Sequence, residues 1–129
     1  MPTNLEIVQG IYAAYQRRDF PAFFAVLDPE IEVRQTRQLP WGGEYRGYDR
    51  VRELFKQVAE LTETQPTPEE YVESGETVVA IGWLRGRARV TGKTIDLRIV
   101  HAWTLRDGRV IRYDAYMDAP KMLEALKPE

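Results

Sequence analysis

One side chain in this 129-residue sequence titrates near neutral pH without help from its surroundings: His101, the only histidine. Such a group can give or take a proton at a carbonyl or an enol with no metal present. What it does depends on what shares its face. His101 lies in Ile95–Asp118, IDLRIVHAWTLRDGRVIRYDAYMD, two alternating runs joined by Arg106-Asp107-Gly108-Arg109. An Asp-Gly pair between such runs predicts a β-hairpin. A three-residue loop with Gly108 left-handed pairs His101 with Tyr113, and a two-residue turn pairs it with Asp114. Strand side chains alternate, so this one-residue slip exchanges a hydroxyl for a carboxylate beside the histidine. The competing reading is structural: a neutral core histidine bonded to a tyrosine hydroxyl.

Other chemistries are excluded more simply. There is no cysteine, so disulfides, thiolate nucleophiles and Cys-based metal sites are out. One histidine cannot supply a multi-histidine zinc site, and no loop has calcium-ligand spacing. Trp41-Gly42-Gly43 is not placed between a strand and a helix as a phosphate-binding loop would be. No metal and no cofactor are expected. A net charge of -2 argues against nucleic acid or a membrane surface as partner. No apolar run approaches the roughly 20 residues of a membrane span. The first residues lack the basic-then-apolar pattern of a secretion signal. A cytoplasmic chain of one domain, residues 1–129, is expected.

The elements that must position His101 follow from periodicity. Thr3-Asn4-Leu5-Glu6 is a capping box. Leu5, Val8, Ile11, Tyr12 and Tyr15 then keep helical spacing up to Arg17-Arg18-Asp19. Pro21 suits the first turn of a short second helix, Ala22–Leu27. Ile31–Arg37 reads as a strand, Gln38–Gly47 as a loop, and Arg50–Leu61 as a third helix. Thr62–Pro68 is a polar break with two prolines. Strands are predicted at Glu69–Ser74, Thr77–Arg89, Thr94–Leu105 and Arg109–Met117, then a short helix from Asp118 through Leu126. Helices segregated from an antiparallel meander make an α+β fold: three N-terminal helices packed on the concave face of a strongly curved sheet. The resulting cone encloses a pocket.

Several stretches carry a resemblance. They are Ile11–Tyr15 with Arg18-Asp19-Phe20, Leu27–Val33, Gly43–Gly47 leading into Val51-Arg52, Gly75–Ala80, Asp107–Ile111 and Tyr116–Asp118. In order and spacing the chain resembles the SnoaL-like and ketosteroid-isomerase branch of the cone superfamily of nuclear transport factor 2. The resemblance implies that Ile111, Tyr113, Ala115 and Met117 face inward with Leu97, Ile99, His101 and Trp103. It places Val79, Ile81, Trp83 and Arg85 inward on the preceding strand. The first helix offers Tyr12 or Tyr15 to the hollow and the embedded strand offers Gln35, with Trp41 and Tyr45 as rim or lid.

His101 then falls where the isomerases carry an acidic oxyanion donor and near where the cyclases carry a histidine. Three departures matter. Gln35 stands at the isomerase base, Ile11 at the oxyanion tyrosine, and Ala115 at the cyclase acid. The departures argue against steroid isomerisation, while the resemblance as a whole implies a small-molecule-binding cone, of polyketide-cyclase or isomerase type. In it His101 serves as general acid/base, and Tyr113 and Gln35 orient an apolar or aromatic carbonyl or enol substrate. The alternative is a non-catalytic binding or assembly domain that has lost the family carboxylates. Alternation also leaves Val78, Ala80, Gly82, Leu84, Val100, Ala102, Thr104 and Val110 on the convex face. An apolar convex face implies a homodimer, because an exposed sheet face should be polar.

Overall fold

The computed structural model describes residues 1–128. The capping box forms as read: Glu6 N–H donates to Thr3 Oγ1 at 3.1 Å, and Thr3 N–H to the Glu6 carboxylate at 2.8 Å. Helix α1 (Asn4–Gln16) buries Val8, Ile11, Tyr12 and Ala14. Its exit is a Schellman turn: Asp19 N–H bonds Ala14 O at 2.8 Å and Arg18 N–H bonds Tyr15 O at 3.1 Å. Helix α2 (Phe20–Ala25) starts two residues before the sequence suggests, because Asp19 caps it by accepting from Ala22 N–H at 3.1 Å.

Strand β1 (Leu27–Gln35) begins four residues earlier than periodicity indicates. The predicted loop contains a short strand, β2 (Gly43–Arg46), paired with β1. Helix α3 is Gly47–Leu61. Tyr48 fastens it to β1 by donating to Leu27 O at 2.9 Å. The polar break is also strand: β3 runs over Thr62–Ser74. It accommodates Pro66 and Pro68 because it is an outermost strand, where a missing N–H goes unneeded. Then come β4 (Thr77–Ala88), β5 (Thr94–Arg106), β6 (Arg109–Met117) and α4 (Ala119–Leu126). The sheet order is β2-β1-β6-β5-β4-β3, antiparallel except for β1 beside β6. The α+β cone is therefore the observed fold, with helices on the concave face of a curled six-stranded sheet.

The hairpin register differs from both sequence alternatives. Asp107 and Gly108 are both left-handed (φ 52° and 77°), so the turn has two residues. Ile111 then enters β6 as an extra residue, shifting the ladder by one. Trp103 lies opposite Tyr113 and His101 opposite Ala115. Parity is kept for Tyr113, Ala115 and Met117, and Asp114 lies on the other face with Ala102. Ile111, the extra residue, leaves the inward row.

On β4 the expected register is wrong by one. Ala80 faces His101, Gly82 faces Ile99 and Leu84 faces Leu97, and all three β4 residues are buried. Ile81, Trp83, Val79 and Arg85 therefore lie on the convex side, as does none of Val78, Ala80, Gly82, Leu84 or the fully buried Val110. The physical reason is plain. Val78–Leu84 is apolar or small at every position, so alternation gives no hold on its register. Gly82 supplies the concave bend, since a Cβ there would overlap the backbone of Thr67 and Pro68 on β3.

Candidate functional site

The site is built around a buried hydrogen-bond chain joining α1 to β5. Trp103 Nε1–H donates to the Tyr12 hydroxyl oxygen at 3.0 Å, and that hydroxyl lies 2.6 Å from His101 Nδ1. An indole can only donate. The Tyr12 O–H has no other acceptor among the described residues, so it donates to Nδ1 and the imidazole proton sits on Nε2. Nε2–H has no protein partner among the described residues. Burial alone lowers the His101 pKa to about 3, so the ring is neutral at physiological pH. Aromatic contacts fix its orientation: Tyr113 meets it edge-on at 5.2 Å and itself stacks on Trp103 at 3.9 Å.

The tyrosines are neutral as well. Burial raises the Tyr12 pKa, offset in part by the bond from Trp103. Burial, then the neighbouring Tyr12 and Tyr15, hold Tyr113 well above the ordinary phenol value. Among the described residues, no aspartate, glutamate, lysine or arginine borders the cavity beside it. The site offers neutral donors in an apolar setting and no fixed charge.

That cavity has a volume of about 80 Å³. Nine residues picked out in the sequence border it: His101, Tyr113, Gln35, Tyr12, Tyr15, Trp41, Trp103, Ala115 and Met117. Trp41, only 1% exposed, is wall and not lid. The Gln35 side-chain oxygen is buried with no partner among the described residues. Four expected residues lie elsewhere. Tyr45 braces the loop by donating to Trp41 O at 2.8 Å. Ile99 is buried and inward but does not border the cavity. Ile81 and Trp83 are on the convex face. There Trp83 is held between the guanidinium groups of Arg85 (4.9 Å) and Arg98 (4.5 Å), and its N–H donates to Glu69 at 3.1 Å.

The sequence reading also missed part of the wall. Thr62, Thr64 and Pro66 come from the segment read as a break, and Leu84 from the misregistered strand. Ile11, Phe23, Phe55, Val58 and Met122 complete it. The helical residues among them had a usable signal, the apolar stripe that any cone must turn toward its sheet.

The chain belongs to the SnoaL-like domain family, which matches residues 8–113. A solved neighbour is an NTF2-like protein of unknown function from Burkholderia pseudomallei, 30% identical over 98% of this chain and 99% of its own, with a TM-score of 0.92. TerC, crystallised with polyporic acid, is 26% identical over 95% of this chain and 97% of its own, with a TM-score of 0.87. A candidate polyketide cyclase from Pseudomonas putida shares the fold at 18% identity, over 98% of this chain and all of its own, with a TM-score of 0.84. No curated protein sequence matches. Among the described residues, no helix is long and apolar enough to cross a membrane.

Replacing Tyr12 by Phe strips partners from two buried nitrogens at once, Trp103 Nε1 and His101 Nδ1. Leaving buried polar groups unpaired costs about 1–3 kcal/mol each. Urea unfolding of Tyr12→Phe should show a loss of roughly 2 kcal/mol or more. A change under about 0.5 kcal/mol would mean the chain of bonds is not formed.

Proposed function

We propose that the cone binds a compact apolar or aromatic molecule bearing a carbonyl or enol oxygen, and that neutral His101 polarises that oxygen through Nε2–H. The observation that carries this is the Tyr12–His101 bond, which commits the free imidazole proton to Nε2 on a side chain bordering an apolar cavity. A neutral imidazole acting as donor stabilises developing enolate charge without a buried cation. This revises the general acid/base role. A histidine with a pKa near 3 is a poor base at neutral pH, so the step it supports is polarisation of a carbonyl oxygen through Nε2–H, with water taking the α-proton when the ligand enolises. Tyr113 and Gln35 are the other polar groups of the wall available to orient the ligand. The co-crystallisation of TerC with polyporic acid supports a small organic ligand for a protein of this fold.

A second reading is favoured by one observation, the absence of any carboxylate around the cavity among the described residues. In it the pocket binds the same class of molecule, without turnover. Acetophenone separates the two readings. NMR titration should show binding weakened about threefold or more in His101→Gln, the equivalent of one neutral hydrogen bond. Equal affinity in the variant would sink the role of His101. Exchange of the acetophenone methyl protons for deuterium, faster with wild type than with His101→Gln, marks turnover. Binding without faster exchange marks the second reading.

The proposal includes a cytoplasmic homodimer through the convex face, with corrected residues. Val72, Val100 and Tyr116 are 44%, 36% and 57% exposed there, and Val79, Ile81 and Ala102 are half-buried beside them. The buried, unpartnered Oδ1 of Asp114 lies on the same face. An exposed apolar sheet face is best covered by its own copy. Sedimentation should give a dimer at micromolar concentration and a monomer for Val100→Glu. A wild-type monomer refutes the interface.

A further inference from the structure

The 80 Å³ cavity is small for the ligand it is proposed to hold, about half the roughly 150 Å³ of a cavity that takes benzene. A second space of about 200 Å³ lies against it, and Tyr15, Val58, Thr62 and Thr64 line both. Taken together the two approach about 300 Å³, the lower end of ordinary small-molecule pockets. Tyr15 is thus part of the wall between an inner space and an outer one, together with Val58, Thr62 and Thr64. It is held by side chains and not by a strand ladder: Phe20 packs edge-on at 5.8 Å, Phe55 lies tilted at 6.4 Å, and the Arg18 guanidinium sits over the ring at 5.3 Å.

The outer chamber has the charge that the inner one lacks. Arg18, Arg89 and Glu63 line it. Glu63 is already engaged by Arg87 at 3.0 Å and Arg89 at 3.5 Å. Arg89 is further held by the carbonyls of Ala59 and Thr62, at 2.7 and 3.2 Å. Arg18 makes no ion pair within 4.0 Å among the described residues, since the nearby Asp19 pairs with Arg17; it hydrogen-bonds the Tyr15 side chain and lies close enough to Glu63 to help lower that carboxylate's pKa. The opening therefore carries an excess cation in a protein of net charge -2.

The backbone at Arg18 points the same way. It is the left-handed residue of the α1 exit, φ 58°, a position usually held by glycine. A side chain there is strained, and strain of this kind marks places where position matters. The placement sets the guanidinium over Tyr15, at the outer side of that wall.

We propose that the outer chamber is an anion subsite, and that the ligand is an aryl carbonyl compound carrying a carboxylate. Its ring and carbonyl displace Tyr15 from the wall and enter the inner cavity toward His101. Its carboxylate stays outside and pairs with Arg18. This rests on the pocket reading above and adds to it the polarity and entry direction of the ligand.

The test uses the full-length protein and a matched pair of probes, acetophenone and 4-acetylbenzoate, titrated by NMR against wild type, Arg18→Gly and His101→Gln. Glycine suits the left-handed position, so Arg18→Gly keeps the fold, as its melting temperature will report. Wild type should bind 4-acetylbenzoate at least threefold more tightly than acetophenone, a preference that shrinks in 0.5 M salt. Arg18→Gly should abolish the preference, read as the ratio of the two affinities within that variant. His101→Gln should weaken both probes. If acetophenone binds in a His101-dependent way but the carboxylate adds nothing, or adds the same in Arg18→Gly, the anion subsite is refuted and the pocket reading stands. If neither probe binds wild type, both are refuted.

Discussion

The structure depends on a hydrogen bond between two elements 89 residues apart in sequence, from the Tyr12 hydroxyl to His101 Nδ1. It is short, buried and directional. It ties the first helix to the middle of the sheet, and with the indole of Trp103 behind it Trp103 Nε1, the Tyr12 hydroxyl and His101 Nδ1 are all paired, which leaves His101 Nε2 as the one ring nitrogen of the three residues without a partner among the described residues. A buried polar chain left half satisfied would be worse than an apolar core of the same shape. Its value is therefore partly specificity: one rotamer of α1 against β5 satisfies it. The same bond fixes the histidine tautomer and so decides what the cavity presents to a ligand.

From that bond the character of the cavity follows. With the tyrosine donating, the imidazole needs no second proton. With no carboxylate in the wall among the described residues, none of them stabilises one. Desolvation then dominates, and the ring stays neutral far below its ordinary pKa. This is the arrangement for polarising an oxygen, not for storing a proton. Among the described residues, the neighbouring space beyond Tyr15 is lined by charged groups, Arg18, Arg89 and Glu63. The gradient from apolar interior to cationic opening gives the cone a sense of direction.

Much of this was legible in the sequence, and the failures have physical causes. The capping box, the helix stripes and the Asp-Gly turn are local signals, and each element they mark is present. The choice between Tyr113 and Asp114 beside His101 came out on the side of the tyrosine, but through a bulge at Ile111 that no local signal marks. Strand β4 defeated alternation because Val78–Leu84 has no polar side, which sent Ile81 and Trp83 to the wrong face. Thr62–Pro68 has the composition of a break, and only its place at the sheet edge makes it a strand. His101 was identifiable as the titratable group. Its bond to Tyr12 was not, since α1 offers Tyr12 and Tyr15 at neighbouring positions and only packing selects one.

The most direct measurement of the central claim is the nitrogen-15 NMR spectrum of the His101 ring across pH. An unfolded histidine takes a proton near pH 6.5 and the folded one resists until about pH 3. Between those values the unfolded state binds more protons, so stability falls on acidification, by up to about 1.4 kcal/mol per pH unit from this group. The folded protein should show one neutral tautomer, protonated at Nε2, with ring shifts unchanged from pH 8 to pH 4.5. A titration centred near pH 6.5, or a proton on Nδ1, would contradict the account.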